Sequence, residues 1–164
     1  MNVLFIQTGG TIDKDYPKST KGWAFEIHDP AVDRILTKLN PSFNYVIKSV
    51  LKKDSLEITD QDRMLLLEKC KSAKENKIII THGTDTLSET ANFLSEIKNK
   101  TIILTGAMRP ERFTNSDADL NIGIAIGGVQ SLSHGIYIAM HGLILPHDEI
   151  SRNMETGQYL KSTK

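Results

Sequence analysis

Hydrophobic positions along the chain fall into two alternating patterns. Short, nearly continuous apolar runs occupy 3–7, 45–51, 77–81, 101–105 and 135–139. Between them, apolar residues recur every three or four positions over 30–39, 60–73, 86–97 and 118–132. The first pattern predicts strands and the second amphipathic helices. Strands apolar on both faces, alternating with helices, predict a parallel sheet covered on both sides and joined by right-handed crossovers. The expected fold class is therefore α/β: a doubly wound three-layer α/β/α domain with a mainly parallel sheet. The helix at 60 carries a start signal, Thr59 with Asp62 three residues on, resembling a capping box. Leu66, Leu67 and Cys70 then follow helical spacing, and Lys69 and Lys71 stand where the helix dipole favours cations. Residues 12–29 follow neither period and contain Pro17 and Gly22. They read as a long loop that leaves the first strand end directly and serves as a lid.

Composition narrows the classes of partner. A chain of 164 residues fits one domain and buries roughly 70% of its unfolded surface. Lys and Arg number 20, as do Asp and Glu, so the formal net charge is zero and no nucleic-acid partner is expected. No run approaches the roughly 18–20 apolar residues of a membrane span, and no basic segment precedes the first apolar run. The expectation is a soluble, cytoplasmic protein with no membrane partner. The one cysteine, Cys70, has no internal disulfide partner and reads as a packed thiol.

Chemistry concentrates where strands end. The first strand runs into Thr8-Gly9-Gly10-Thr11 and the third into Thr81-His82-Gly83-Thr84-Asp85-Thr86. Open α/β sheets bind ligands at their carboxyl ends. Paired glycines let a backbone turn sharply, and amides exposed there can hold a developing oxyanion; a tight turn with a satisfied hydroxyl is the plainer alternative. Thr84 or Asp85 can cap the following helix, and that same helix end can receive an anionic substrate. Two hydroxyl nucleophile candidates on neighbouring strand ends point to acyl transfer. The spacing of a dinucleotide loop and the ending of a P-loop are both missing. A third stretch, Asp54-Ser55-Leu56-Glu57, brings hydroxyl and carboxylate groups to another strand end. In a fourth, Gly106-Ala107-Met108-Arg109-Pro110, Arg109 can pair with carboxylates, and Ser116 or Asp117 reads as a helix cap. His141, His147, Asp148 and Glu149 lack metal-ligand spacing and read as a solvated loop, so no metal is expected.

In this order and spacing, Thr-Gly-Gly-Thr-Ile at 8–12, Asp54-Ser55, Ile-Thr-His-Gly-Thr-Asp-Thr at 80–86, Glu89-Thr90-Ala91, Gly-Ala-Met-Arg-Pro at 106–110 and 117–121 resemble the bacterial-type L-asparaginase and glutaminase family of threonine amidohydrolases. The resemblance implies that Thr11 attacks a side-chain amide carbon. Thr84 and Asp85 match the threonine and aspartate of the family's second catalytic group. Ser55 and Asp85 would hold the substrate's α-carboxylate and α-amino group. Tyr16 is the counterpart of a loop tyrosine in proton transfer, and backbone around Gly10 and Thr84 would stabilise the oxyanion. Glu57, Gly83, Ala107 and Met108 complete the implied substrate contacts. Two positions depart from the family pattern. Its lysine falls on Arg152, which stays protonated and cannot act as a base but can steady a nearby oxyanion. Leu56 stands where a polar residue is usual.

The implied activity is hydrolysis of the side-chain amide of L-asparagine, or a related small amide, to the acid and ammonia. No metal or organic cofactor is implied. The rival reading is a non-catalytic small-molecule binding or regulatory domain that kept the pocket. The resemblance covers the first of the family's two domains. The expectation is an N-terminal catalytic domain over 1–164 without the C-terminal one, assembled as a homo-oligomer, dimer or tetramer.

Overall fold

In the computed structural model of the chain, which describes residues 1–18 and 24–162, the five apolar runs become five parallel strands of one sheet. In chain order the elements are β1 (Asn2–Gly9), β2 (Lys14–Asp15), β3 (Glu26–Ile27), α1 (Ala31–Leu39), β4 (Asn44–Lys53), α2 (Asp60–Ser72) and β5 (Lys77–Thr81). There follow α3 (Leu87–Phe93), β6 (Thr101–Thr105), α4 (Ala118–Ser131), β7 (Gly135–Met140), β8 (Leu143–Pro146), β9 (Ile150–Arg152) and β10 (Tyr159–Lys161). The sheet order is β4-β1-β5-β6-β7-β8, with β8 antiparallel to β7.

Alternate residues of each central strand feed two separate cores. Leu4, Ile6, Ile78, Ile80, Ile102 and Leu104 pack with Leu66, Leu87 and Leu94 from the α2 and α3 side. Val3, Phe5, Ile79 and Ile103 pack with Val32, Leu36, Ile122 and Val129 from α1 and α4. Burial on both faces explains why these strands are continuously apolar. Each such side chain contributes about 1.5–3 kcal/mol on burial. By contrast β4, at the sheet edge, is exposed at most positions, and Lys48, Ser49, Lys52 and Lys53 interrupt its apolar residues.

The winding positions the site. From β1 the chain moves through α1 to β4 on one side, then crosses by α2 to β5 on the other side of β1. Strand order therefore reverses between β1 and β5, where a doubly wound sheet opens a crevice. The two threonine-bearing loops are the carboxyl ends of those two strands.

Local signals meet with mixed fates. The Thr59 box forms as expected: Thr59 Oγ1 accepts from Asp62 N at 3.3 Å, and Asp62 Oδ2 accepts from Thr59 N at 2.8 Å. The helix expected over 86–97 ends at Phe93 and tightens into a 3₁₀ turn over Leu94–Glu96. Its N-cap is Thr86, without a side-chain bond, so neither Thr84 nor Asp85 caps it. The stretch 12–29 is not uniform loop. A 3₁₀ turn over Thr11–Asp13 leads into an antiparallel ribbon pairing Lys14 with Ile27 and Asp15 with Glu26; its residues 19–23 lie outside the described part. Two residues per strand are too few to show a period. Likewise β8 arises from a reversal at His141 and Gly142, and the β9–β10 hairpin from a turn between Asn153 and Gln158 with Gly157 at φ +74°, rather than from any long pattern. Cys70 is fully buried, and burial pushes its thiol up to about 12, which leaves it inert. No helix among the described residues is long and apolar enough to cross a membrane.

Candidate active site

Three strand-end loops meet backbone to backbone. Gly9 and Gly10 sit at φ +111° and +86°, and Gly10 N donates to Lys53 O at 3.0 Å, tying the turn to the end of β4. A Cβ on Gly10 would collide with the Cα and N of Gly83. A Cβ on Gly83 would lie 2.6 Å from Ser55 Cβ and 2.7 Å from its Oγ. Glycine at both positions is thus what lets the loops after β1, β5 and β4 touch. Ser55 then links them: its Oγ accepts from Asp85 N at 3.3 Å, and its carbonyl accepts from Thr86 Oγ1 at 2.8 Å.

The threonines divide by what their hydroxyls do. Thr8 Oγ1 donates to Thr81 O at 2.8 Å, a buried stitch between β1 and β5. Thr11, half-buried in the 3₁₀ turn, and Thr84, at the second loop, commit their hydroxyls to no partner among the described residues. These two are the hydroxyls left for chemistry.

Behind the second loop lies a buried relay. His82 Nδ1 is 2.8 Å from Gly83 O, and its Nε2 is 2.9 Å from Thr90 Oγ1, which also accepts from Arg63 Nε at 3.2 Å. A carbonyl can only accept and a guanidinium can only donate. Hence Nδ1 carries the proton and Thr90 donates its own to Nε2. Burial lowers the His82 pKa to about 4, so the ring is neutral and works as a prop for Gly83.

The β9–β10 hairpin closes the other side. Arg152 Nη1 pairs with Asp85 Oδ1, and Tyr159 OH donates to Thr84 O at 2.6 Å. Burial pushes the Tyr159 phenol up to about 12, so it stays protonated and keeps donating. Met108 reaches the same hairpin, its Cε 3.3 Å from where a Cβ on Gly157 would stand. Asp117 fixes the loop carrying buried Ala107, accepting from Met108 N at 3.0 Å and Arg109 N at 3.1 Å. Asn121 Nδ2 adds a bond to Gly106 O at 3.0 Å.

Gly10, Gly83, Thr84, Asp85, Ser55, Arg152, Ala107 and Met108 therefore converge. Tyr16 and Glu57 have other partners. The Tyr16 ring is exposed and packs edge-on against Phe25 at 5.2 Å, with Phe25 in turn against Phe113. Glu57 accepts from Asp54 N at 3.3 Å in a capping box with Asp54. The β2–β3 ribbon is held by Lys14 to Asp54 at 2.8 Å and Arg112 to Asp15 at 3.1 Å. The Lys14 ammonium keeps the Asp54 carboxyl below its ordinary range. No group of three potential metal ligands occurs among the described residues, and His141 Nδ1 accepts from Tyr159 N at 3.1 Å. Sequence reasoning missed Tyr159, the His82–Thr90–Arg63 relay and Asp13. A buried tyrosine gives no local signal, but His82 and Thr90 stand eight apart with a helix start between them, which is a legible spacing.

A family model described as Asparaginase, N-terminal, matches residues 2–157. The chain is 29% identical over 165 residues to a glutaminase-asparaginase of Acinetobacter glutaminasificans, covering 93% of this chain and 50% of the relative. It is 32% identical over 163 residues to a component of the glutamyl-tRNA(Gln) amidotransferase of Methanococcus vannielii, covering 95% of this chain and 37% of that one. Among solved structures it is similar to the thermostable L-asparaginase from Thermococcus kodakarensis, with a TM-score of 0.81 and 27% identity over 98% of this chain and 51% of that chain. The chain thus spans about half the length of the relatives it matches, or less.

Proposed function

The chain belongs to the asparaginase family, and from that premise we propose that its site hydrolyses the side-chain amide of asparagine or a related small amide through an ester on Thr11. The observation that carries this reading is the backbone contact of Gly10 with Gly83, which brings two loops with uncommitted threonines together at the point where the sheet order reverses. Thr11 Oγ1 adds to the amide carbon, and backbone amides of the glycine turn and of Thr84 receive the oxyanion. The threonine proton passes to the departing nitrogen, with Tyr16 as the shuttle once the lid closes, and ammonia leaves. Water then adds to the ester beside Thr84, releasing the acid and returning a proton to Thr11. Arg152 takes an electrostatic role, because its guanidinium cannot accept a proton.

Ammonia release from L-asparagine, L-glutamine, D-asparagine, N-substituted asparagines and succinamic acid tests the proposal; silence on every amide would sink it. Arg152 gives a specificity prediction. Its pair with Asp85 neutralises the carboxylate that an α-ammonium would need. Arg152→Gln is expected to raise the kcat/KM ratio of L-asparagine over succinamic acid by about tenfold, the size of one charged contact. An unchanged ratio would remove Arg152 from substrate choice.

We also propose that the protein is a homo-oligomer. Leu56 is 73% exposed and Met108 38% exposed, two apolar side chains on loops that meet at the site. Light scattering after gel filtration should give a mass of at least two chains, and a monomer would refute this part alone.

A further inference from the structure

The Asp13 carboxyl takes no part in the amide chemistry above, yet it stands two residues after Thr11 in the same 3₁₀ turn and is 1% exposed. Its Oδ1 accepts from Ala31 N at 2.7 Å. Ala31 opens α1 behind Pro30, an N-cap residue with no side-chain acceptor, so Asp13 caps that helix from 18 residues away. Its backbone is fixed on both sides: its N–H donates to Gly10 O at 3.2 Å, and its carbonyl accepts from His28 N at 3.0 Å. Its Oδ2 is enclosed, with no hydrogen-bond partner among the described residues.

The groups facing the carboxyl come from three elements. Gln7 of β1 lies beside it, and its side-chain amide favours the charged form, although Gln7 Nε2 donates to His28 O at 2.8 Å and leaves Oδ2 without a partner among the described residues. Arg34 of α1 and Lys52 of β4 are the nearby cations. Each has another carboxylate partner: Arg34 pairs with Glu111 at 2.6 Å and Lys52 with Asp29 at 3.1 Å. A buried carboxylate with one oxygen unpartnered is costly, whereas a carboxylic acid there is not. Burial outweighs the hydrogen bonds and cations, and the Asp13 pKa rises to about 7.

We propose that Asp13 is a positioning residue for Thr11, acting as a neutral acid that locks the nucleophile's turn between the end of β1 and the start of α1. Ionisation works against the reaction in two ways. A negative charge in the Thr11 turn opposes the negative charge that develops on the attacking oxygen and on the tetrahedral intermediate. A buried carboxylate also draws towards water, which pulls the turn off its seat. The inference rests on the threonine-amidohydrolase reading.

The test compares wild type with Asp13→Asn, which is neutral at every pH and keeps an acceptor for Ala31. In wild type kcat falls as pH rises through about 7, and this limb disappears in Asp13→Asn, with KM unchanged between the two. Asp13→Ala lowers kcat by about tenfold or more, and Asn restores most of that loss. By NMR, the Thr11 and Ala31 amides shift together with a midpoint near 7 in wild type and stay flat in Asp13→Asn. Superimposable pH profiles, or amides that ignore this pH range, would overturn the proposal. If no amide releases ammonia, the functional reading fails separately and the NMR titration still decides Asp13. If Asp13→Ala does not fold, the Asn comparison decides.

Proton linkage to folding gives an independent check. A carboxyl whose folded pKa is raised has its stabilising contribution fully present below its unfolded value near 4 and lost as pH rises through about 7. The thermal midpoint of Asp13→Asn should therefore gain on wild type between about pH 4 and about pH 7 and keep that gain at higher pH.

Discussion

Thr11→Ala is expected to lower kcat for amide hydrolysis by about 10³-fold or more while leaving the fold and thermal midpoint nearly unchanged. The size follows from the proposed route: without the Thr11 hydroxyl that route has no ester, and only the proposed oxyanion donors and substrate binding remain. The small structural cost follows from the position. Thr11 is half-buried and its hydroxyl has no partner among the described residues, so truncation leaves no buried polar group unpaired and costs about 0.5 kcal/mol or less. Thr8 supplies the contrast within the same motif. Its hydroxyl donates to Thr81 O inside the sheet, so its loss removes a buried hydrogen bond between β1 and β5. Ammonia release together with circular dichroism separates the two kinds of threonine. Full activity in Thr11→Ala would eliminate it as the nucleophile.

The sheet was legible because burial on both faces forces short, continuous apolar runs onto β1, β5, β6 and β7, and the helices between them because their periods are long enough to read. The strand-end loops were legible for a related reason: glycine and hydroxyl residues stand out directly after such runs. What escaped was short or nonlocal. The β9–β10 hairpin has three residues per strand, and its value lies in carrying Arg152 to Asp85 and Tyr159 to Thr84, contacts spanning 67 and 75 residues. No local pattern encodes such pairings. Asp13 was hidden by the same limit, since its partner Ala31 opens a helix whose own N-cap is a proline. The stretch 12–29 reads as one loop because a ribbon of two residues per strand has no period to detect. Its Tyr16 ring rests on Phe25, so the proposed shuttle role requires the ring to leave that contact.

Gly10→Ala should remove activity almost as completely as Thr11→Ala, by a route that also lowers stability. Gly10 has φ +86° and ψ −175°, a region that residues with a side chain essentially never occupy, at a cost of about 1–3 kcal/mol. Strain is the smaller part. The added methyl would occupy the place of the Gly83 backbone, and a main chain cannot swing aside as a flexible side chain can. Relief requires the β1 and β5 loops to part, which separates Thr11 from Thr84 and loosens Gly83 from Ser55. A shift of about 1 Å in such a site can cost about 10²-fold in rate. Gly123 provides the control. It lies in α4 with open space where its Cβ would be, so Gly123→Ala should raise stability by about 0.5–1 kcal/mol and leave kcat alone. The pairing of lost activity with a lowered thermal midpoint in Gly10→Ala, against lost activity at an unchanged midpoint in Thr11→Ala, would distinguish the architecture of the site from its proposed nucleophile. A Gly10→Ala protein with wild-type turnover and stability would mean that the two loops do not touch, and the reading of the site built on that contact would fall with it.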